Sequence, residues 1–307
     1  MTERPGRHLL DIEALEDDTI RHLLNRAGAL AAGADTNPID MTVANLFFEP
    51  STRTRVSFEL AALRLGMRVI NIELDRSSST KGESLADTAT TLSAMGVNCI
   101  VLRHPETGRC HALAAEAGNS LSLLNAGDGS GHHPSQALLD AATIEAQGLA
   151  WPDLDLSIVG DIRHSRVARS GLALFRRLGV GRLRIAGPAE LLPEGLDLSG
   201  IEVCETLDQA IRGANVVMML RIQRERMDQA GWPDSTRYHR EWGLGDRALA
   251  LAAPDCRVMH PGPINRGVEI AGSIADGSRS LILEQVRMGV YMRMAILEWL
   301  AEAQPVP

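Results

Sequence analysis

The sequence contains few aromatic residues and few cysteines. Aromatic side chains make up 3% of its 307 residues, so we expect cores built from aliphatic side chains and alanine. No two cysteines form a C-x-x-C pair and none lies in a histidine-rich cluster; they are Cys99, Cys110, Cys204 and Cys256. This spacing disfavours structural zinc and a disulfide framework, and we predict no metal site. Unpaired cysteines suit a reducing compartment, so we predict a cytoplasmic protein.

Long apolar runs and excess positive charge are also missing. No stretch of the chain reaches the length of a membrane span. The first residues, MTERPGRHLLDIEALEDD, lack the apolar run of a signal peptide. The formal net charge of −8 argues against a general nucleic-acid binder. We therefore predict neither a membrane nor a nucleic acid as a partner.

The glycine loops that bind nucleotides are missing as well. No strand-like run is followed by G-x-G-x-x-G, and the glycine-rich lysine loop of nucleotide hydrolases is absent. The segment VGDIRHSRVARSG reads as a strand, a turn and a helix, but its turn contains a single glycine. We therefore expect no cofactor, and a nucleotide-dependent oxidoreductase is a weak alternative.

Helical and strand-like patterns alternate along the chain. This alternation predicts parallel sheets with helices on both faces. A glycine-rich loop, NAGDGSGHHP, and a later linker, GLAWPDLD, indicate a boundary between two α/β domains near residues 126–152. A last long helix is predicted from about Arg279 to Ala303. The strand-like runs are TVANLFF, MRVINIE, NCIVLRH, SLSLLNAG, DLSIVGD, RLRIAGP, GIEVCE, ANVVMML and CRVMHPGP.

The stretch FEPSTRTRVSFE places hydroxyl and guanidinium groups where a strand gives way to a helix. A helix N-terminus offers unpaired N–H groups and the positive end of a dipole, and it therefore binds anions such as phosphate. Ser51 or Thr52 can cap the helix, Thr54 adds a hydroxyl, and Arg53 adds a planar fork that suits phosphate oxygens. Taken alone, the stretch fits an ordinary capped helix with solvated arginines equally well.

Other polar clusters also follow strand-like runs. In open parallel sheets, ligands bind beyond the carboxyl ends of the strands. Arg103 and His104 follow NCIVL, GDGSGHHPSQ follows SLLNA, and GDIRHSR follows LSIV. Arg221 and Gln223 follow VVMML, and HPGPINRGVE follows CRVM. These clusters indicate ligand-binding groups at the carboxyl edge of each sheet.

Short motifs occur in a fixed order along the chain: FEPSTRTRVSFE, KGESLADT, VLRHP, NAGDGSGHHPSQALLD, GDIRHSRVARS, MMLRIQRER and MHPGPINRGVEI. In this order they resemble the aspartate/ornithine carbamoyltransferase family, and within it the aspartate-specific catalytic chains. The resemblance implies an α/β fold of two doubly wound parallel-sheet domains joined by interdomain helices. It assigns residues 1–132 and 286–307 to a carbamoyl-phosphate-binding domain and residues 133–285 to an aspartate-binding domain.

The resemblance also implies an activity. The carbamoyl group of carbamoyl phosphate would be transferred to the amino group of L-aspartate, giving N-carbamoyl-L-aspartate and phosphate. This reaction is an early step of de novo pyrimidine biosynthesis. Because the departing phosphate dianion can accept the amine proton, we assign no general base.

The family's carbamoyl-phosphate site maps onto three of these motifs. The residues matched to the phosphate are Ser51, Thr52, Arg53 and Thr54. Donors that face the carbamoyl oxygen stabilise the charge that develops there, and the matched residues are Thr54, Arg103 and His133. The H-P-x-Q spacing selects His133 rather than His132, and Gln136 would hold the carbamoyl amino group. The residues given catalytic roles are Arg53, Thr54, Lys81, Arg103 and His133.

The resemblance implies a cationic site for the two carboxylates of aspartate. Arg166 and Arg221 match the family's carboxylate-binding arginines, and each can make a bidentate pair. Gln223 lies two residues beyond Arg221, on the same side of an extended backbone. Carbonyl groups of HPGP, at Gly262 and Pro263, would receive the substrate amino group, and the resemblance implies a cis peptide before Pro263. Without the resemblance, RIQRERMDQ reads as a charged helix start.

The polar loop DRSSSTKGES matches a family loop that enters the active site of the neighbouring subunit. Lys81 matches the substrate-binding lysine of that loop, where it also contacts aspartate. The run SSST allows several alignments of the loop serine, and we take Ser77. The resemblance therefore implies a homotrimer with shared active sites. It leaves open whether a regulatory chain or a dihydroorotase-like chain joins the trimer.

Other activities fit the sequence less well. A transcarbamylase for ornithine would share STRTR and H-P-x-Q, but that branch is expected to carry His-Cys-Leu-Pro where this chain reads MHPGPINR. Arg221 and Gln223 also favour a dicarboxylate, although another amine acceptor stays open. A non-catalytic relative should have lost Arg53, Lys81, Arg103 or His133, and all four are present.

Overall fold

The computed structural model describes residues 7–73, 84–117, 121–223 and 235–302. The chain divides into two compact units. The first unit contains residues 1–142 and 286–307, and the second contains residues 143–285. Within the described ranges, no helix is both long enough and apolar enough to cross a membrane.

The first unit is built on a five-stranded sheet in which every pairing is parallel. Its strands lie in the order β1-β5-β4-β2-β3. The inner residues of β2, which lies between β4 and β3, are all buried, as expected for a strand covered on both faces. The strands are β1 (His8–Leu9), β2 (Thr42–Phe47), β3 (Arg68–Glu73), β4 (Cys99–His104) and β5 (Ser122–Asp128).

Helices cover the sheet of the first unit. One core joins sheet residues such as Leu46 and Leu102 to the helix residues Leu92 and Leu113. Ser84 and Asp87 form a reciprocal capping box that starts the third helix. The helices that lie wholly within this unit are α1 (Asp17–Ala31), α2 (Thr52–Arg64), α3 (Leu85–Ala94) and α4 (Arg109–Ala117). The next helix along the chain, α5 (Pro134–Glu145), contains the division between the units at residues 142 and 143.

The second unit repeats this plan. Its parallel sheet has the order β10-β9-β6-β7-β8. Gly160, at the end of β6, has a φ of +130°, and a Cβ there would lie 2.6 Å from the Leu220 carbonyl oxygen. Only glycine allows this close approach of two strand ends. The strands are β6 (Asp155–Val159), β7 (Arg182–Ala186), β8 (Glu202–Cys204), β9 (Val216–Met219) and β10 (Arg257–Met259).

The helices of the second unit are short apart from α6. They are α6 (Arg166–Arg177), α7 (Leu207–Ile211), α8 (Ser235–Trp242), α9 (Asp246–Leu249) and α10 (Gly272–Ala275). The last helix, α11 (Ile282–Ala301), contains the second division between the units. Its C-terminal half pairs with α1 inside the first unit, because Arg26 donates to Glu298 at 2.6 and 2.8 Å.

The structure confirms the predicted fold class of two parallel-sheet α/β units, and all nine strand-like runs contain strands. The two-residue strand β1 was not predicted, because it is too short to show a periodic pattern. The predicted domain limits place all of α5 in the second domain, whereas the compact units divide within α5. Those limits stay a prediction.

A buried ion pair stabilises the amino-terminal side of the second sheet. Arg184 is 1% exposed and its Nε donates to Asp155 at 3.0 Å, while its Nη1 donates to the carbonyl oxygens of Gln209 and Arg212 at 2.8 and 3.1 Å. Replacing Arg184 would leave these buried acceptors without their donor.

We expect Arg184→Met to lower the free energy of unfolding of the second unit by about 3 kcal/mol. Urea unfolding followed by tryptophan fluorescence tests this, since three of the four tryptophans, Trp151, Trp232 and Trp242, lie between residues 143 and 285. The matched control is Arg247→Met, whose exposed side chain pairs with Asp208 at the surface of the same unit and should contribute far less. Equal losses in both variants would contradict this account of Arg184.

Candidate active site

The start of α2 lies at the carboxyl edge of the first sheet. Strand β2 ends at Phe47, and the helix begins four residues later, where Arg55 N–H donates to Ser51 O at 3.0 Å. Of the two residues that could cap the helix, Ser51 occupies the N-cap position, and its side chain makes no capping hydrogen bond. Thr54 is buried while Thr52 and Arg53 are exposed. The hydroxyl of Ser51 is therefore not used to close its own helix.

Arg103 lies beside this helix start because β4 pairs directly with β2. Phe47 is in register with Arg103, and Phe48 N–H donates to Arg103 O at 2.9 Å. The guanidinium of Arg103 is mostly buried, with Nε 3.3 Å from Glu49 Oε2 and Nη1 donating to Ala126 O at 3.2 Å. The carboxylate and the carbonyl hold a cation at the strand end, next to the first turn of α2.

His104 has a structural place in the same edge. Its Nδ1 accepts the N–H of Glu106 at 3.0 Å, and its ring packs on Phe48. Burial lowers the pKa of His104, with Glu106 acting in the opposite direction, so the ring stays neutral and can accept this bond. His104 thus joins the end of β4 to the turn that contains Glu106.

The loop that carries His133 is shaped by a carboxylate. Asp128 is fully buried at the end of β5, and its Oδ1 and Oδ2 accept the N–H groups of His132 and Gly108 at 2.7 and 2.9 Å. Gly129 has a φ of +46°, and a Cβ there would lie 2.4 Å from the Thr107 hydroxyl. These contacts fix the path of the chain directly before His133.

His133 and Gln136 begin α5. His133 is 3% exposed, and its carbonyl oxygen accepts the N–H of Gln136 at 3.0 Å. The Gln136 side chain is held by α5 itself, because its Nε2 donates to Asp140 Oδ1 at 3.0 Å. Because β5 neighbours β4, the start of α5 belongs to the same sheet edge as Arg103.

In the second unit, Asp161 joins the loops after β6 and β9. Asp161 is fully buried; one oxygen accepts from His164 N–H at 3.1 Å and the other accepts from Gln223 N–H at 3.2 Å. Gln223 Nε2 in turn donates to His164 O at 2.9 Å. Arg166 follows as the first residue of α6 and is buried, with Ser165 capping the helix by accepting from Ala168 N–H.

Tyr238 lies in a small core beneath the second of these loops. It packs with Ile222, the residue between Arg221 and Gln223, and with Leu191. Burial raises the pKa of Tyr238, and the negative charges of Glu269 and Asp161 act in the same direction. The phenol therefore stays neutral and serves here as a large packing group.

The loop after β10 carries the HPGP segment. The peptide bond between Gly262 and Pro263 is cis, which confirms that expectation. His260 and Glu269 are both fully buried, and they meet at 3.2 Å. Strand β10 pairs with β9, so this loop and the Arg221 loop leave the same edge of the second sheet.

The sequence-predicted residues thus form two sets. The set at the carboxyl edge of the first sheet consists of Ser51, Thr52, Arg53, Thr54, Arg103, His133 and Gln136. The set at the carboxyl edge of the second sheet consists of Arg166, Arg221, Gln223, Gly262 and Pro263. Ser77 and Lys81 lie outside the described residues. Across the described ranges, no cluster of three or more histidine, cysteine or acidic side chains is arranged to hold a metal ion.

Sequence reasoning missed the buried carboxylates behind these residues. Each carboxylate lies in a motif whose basic or glycine residues were interpreted instead. The sequence signal for them was one acidic residue in each of GDGSG, ALLD, GDIRHS and RGVEI. Their burial was not visible in the pattern. They are Asp128, Asp140, Asp161 and Glu269.

Comparison with known proteins adds to this geometry. Two family models match the chain: the aspartate/ornithine carbamoyltransferase carbamoyl-P binding domain over residues 7–146, and the Asp/Orn binding domain over residues 152–300. The aspartate carbamoyltransferase catalytic subunit of Methylorubrum populi is 50% identical over 307 residues, covering 98% of this chain and 96% of that protein. That of Xanthomonas oryzae pv. oryzae is 49% identical over 301 residues, covering 96% of each.

Solved structures agree with these relatives. Aspartate transcarbamoylase from Trypanosoma cruzi in complex with carbamoyl phosphate has a TM-score of 0.84 and 30% identity, covering 96% of this chain and 95% of that one. The same enzyme in complex with N-(phosphonacetyl)-L-aspartic acid has a TM-score of 0.83 and 29% identity, covering 97% and 96%. These matches confirm the resemblance indicated by the motifs, and the chain belongs to the aspartate/ornithine carbamoyltransferase family.

Proposed function

We propose that this chain transfers the carbamoyl group of carbamoyl phosphate to the amino group of L-aspartate. The products are N-carbamoyl-L-aspartate and phosphate, and the reaction serves de novo pyrimidine synthesis. One observation carries the proposal. The start of α2, Arg103 and the start of α5 follow three adjacent parallel strands, so hydroxyl, guanidinium and imidazole groups meet at one edge of the first sheet.

The first unit supplies the carbamoyl phosphate site. The N-terminus of α2 favours the phosphate through its N–H groups and dipole, and Arg53 is exposed there to add charge-assisted bonds. The residues proposed to bind the phosphate are Ser51, Thr52, Arg53 and Thr54. Thr54, Arg103 and His133 are placed to donate to the carbamoyl oxygen, where negative charge grows in the tetrahedral intermediate.

Gln136 is suited to hold the carbamoyl amino group. Its Nε2 donates to Asp140, so the side-chain carbonyl oxygen is the group suited to accept from a ligand. An acceptor at this position distinguishes the carbamoyl NH2 from the carbamoyl oxygen. The two ends of the group are then fixed by different residues, Gln136 on one side and the donors Arg103 and His133 on the other.

The second unit supplies the aspartate site. Arg166 and Arg221 pair with the two carboxylates, Gln223 adds a polar contact, and carbonyl groups at Gly262 and Pro263 accept from the amino group. The neutral amine attacks the carbamoyl carbon to form the new C–N bond. The C–O bond to phosphate then breaks, and the departing phosphate dianion takes the amine proton. Catalysis rests on positioning and electrostatic stabilisation, without a side chain acting as base.

We also propose that the chain works as a homotrimer in the cytoplasm with shared active sites. An exposed apolar stripe supports an assembly: Val56, Leu60 and Leu63 are 41%, 41% and 55% exposed and lie on one face of α2, the helix that begins with the phosphate motif. The contribution of the Ser77–Lys81 loop to a neighbouring subunit's site rests on the family resemblance, because these residues lie outside the described ranges. A regulatory or dihydroorotase-like partner chain stays a prediction from the family.

The activity is tested by measuring carbamoyl product from carbamoyl phosphate with L-aspartate and L-ornithine in parallel. We expect turnover with aspartate alone, because two arginines and a glutamine suit a dicarboxylate. Arg221→Met should raise the KM for aspartate, while the control Arg240→Met, at an exposed surface arginine, should not. Turnover with ornithine would refute the assignment of the amine, and no turnover with either would refute the proposed activity.

Shared sites are tested by mixing inactive His133→Ala and Lys81→Ala chains after subunit exchange. If Lys81 acts in the neighbouring subunit, an equal mixture should contain about a quarter of its sites with both groups intact. Activity should therefore reappear on mixing. The matched control is a mixture of His133→Ala with Arg103→Ala, because both residues lie at one sheet edge of the same chain. If verified exchange restores no activity in the first mixture, each chain supplies its own lysine.

A further inference from the structure

The loop that contains Gly262 and Pro263 is held by a buried pair of side chains. His260 and Glu269 are both 0% exposed, and His260 Nε2 lies 3.2 Å from Glu269 Oε1. Neither residue belongs to the set that contacts substrate in the proposed reaction. A buried carboxylate is costly to keep, and apolar residues of similar volume would often serve stability as well. Packing alone therefore does not explain why His260 and Glu269 are buried together.

The hydrogen bonds of His260 define the state of its ring. Its Nδ1 accepts the N–H of Gly262 at 2.8 Å, so that nitrogen carries no proton. The proton lies on Nε2, which donates to Glu269 Oε1. The backbone N–H of His260 donates to Gln285 Oε1 at 2.9 Å, which fixes the residue at the end of β10. The imidazole thus connects the loop before Pro263 to a fixed carboxylate.

Glu269 holds the other side of the same loop. The oxygen that accepts from His260 also accepts the N–H of Asn265 at 2.5 Å. The carboxylate therefore reaches both sides of the Gly262–Pro263 peptide, through the imidazole on one side and directly on the other. Between these two attachments, the backbone carbonyls have little freedom to move.

We propose that His260 and Glu269 are positioning residues that set the Gly262 and Pro263 carbonyl groups for the amino group of the substrate. The proposal rests on the proposed function, because it takes those carbonyls as the acceptors for the attacking amine. A nucleophile must be aimed within a fraction of an ångström, and a loop gains that accuracy only from supporting contacts. The buried charge is retained because it fixes the loop from both sides.

The test compares three variants in steady-state kinetics with both substrates varied. His260→Asn keeps an acceptor near the position of Nδ1 for the Gly262 N–H but loses the donor to Glu269. Glu269→Ala removes both attachments, and Glu269→Gln keeps an acceptor oxygen of the same reach. The matched control is Arg184→Met, which breaks a buried ion pair on the opposite side of the same sheet.

We expect Glu269→Ala and His260→Asn to raise the KM for aspartate about tenfold and to lower kcat, because an unsatisfied buried group displaces the loop. Glu269→Gln should restore most of both parameters. The KM for carbamoyl phosphate should stay within about twofold in all of them, since that substrate is bound by the other unit. Arg184→Met should lower stability and leave the KM for aspartate unchanged.

The outcomes separate this inference from the proposed function. Wild-type protein that turns over no aspartate contradicts the function itself. Active wild-type protein with an unchanged aspartate KM in folded His260→Asn overturns the positioning role, even if Glu269→Ala fails to fold. A rise in aspartate KM in Arg184→Met equal to that in His260→Asn also overturns it, because the effect would then follow from lost stability.

Discussion

Each of the two proposed substrate-binding edges depends on the parallel arrangement of its own sheet. Because every strand within a sheet runs in one direction, all strands end at one edge and the chain enters its next helix or loop there. The most direct consequence is the start of α2, where backbone N–H groups and the positive end of the helix dipole favour an anion at the proposed phosphate site. The side chains proposed to bind carbamoyl phosphate add positive charge and hydrogen-bond donors to the electrostatic field of this helix N-terminus.

Buried carboxylates are the counterpart of this cationic edge. Asp128 fixes the loop before His133, Asp140 holds Gln136, Asp161 joins two loops of the second unit, and Glu269 supports the HPGP segment. Each is at most 1% exposed. None needs to touch a substrate, yet each fixes a segment that carries a proposed substrate contact. The buried acidic groups therefore fix the positions of the segments that carry the proposed substrate-binding side chains.

A buried arginine in the core of the first unit interacts with residues of other helices. Arg293 on α11 lies 4.8 Å above the Phe58 ring of α2 and donates to Gly289 O at 3.0 Å. Burial lowers its pKa to about 10, and the charge of Asp140 on α5 opposes that shift. The helices that begin with the phosphate motif and with the His133 loop therefore pack around the same guanidinium.

Periodicity and strand-end polarity predicted nine of the ten described strands, the two-unit plan and the two sets of polar residues. Each of these features depends on residues that lie close together in the sequence, so it can be recognised from the sequence alone. The roles of Asp128 and Glu269 were not predictable, because a carboxylate that accepts N–H groups from a distant turn has no sequence signature. The sequence left the cap of α2 open between Ser51 and Thr52, and in the structure Ser51 is the N-cap without a side-chain hydrogen bond. The buried carboxylates that support the proposed substrate-binding segments could therefore be identified only from the structure.

The central claim is that the start of α2 binds the phosphate of carbamoyl phosphate. Titration calorimetry of carbamoyl phosphate with Arg53→Ala tests it most directly, with Arg68→Ala as the control at an exposed arginine on the opposite edge of the same sheet. We expect Arg53→Ala to weaken binding at least tenfold, about the contribution of a charge-assisted hydrogen bond, and Arg68→Ala to bind as wild type. Unchanged affinity in Arg53→Ala would contradict the claim.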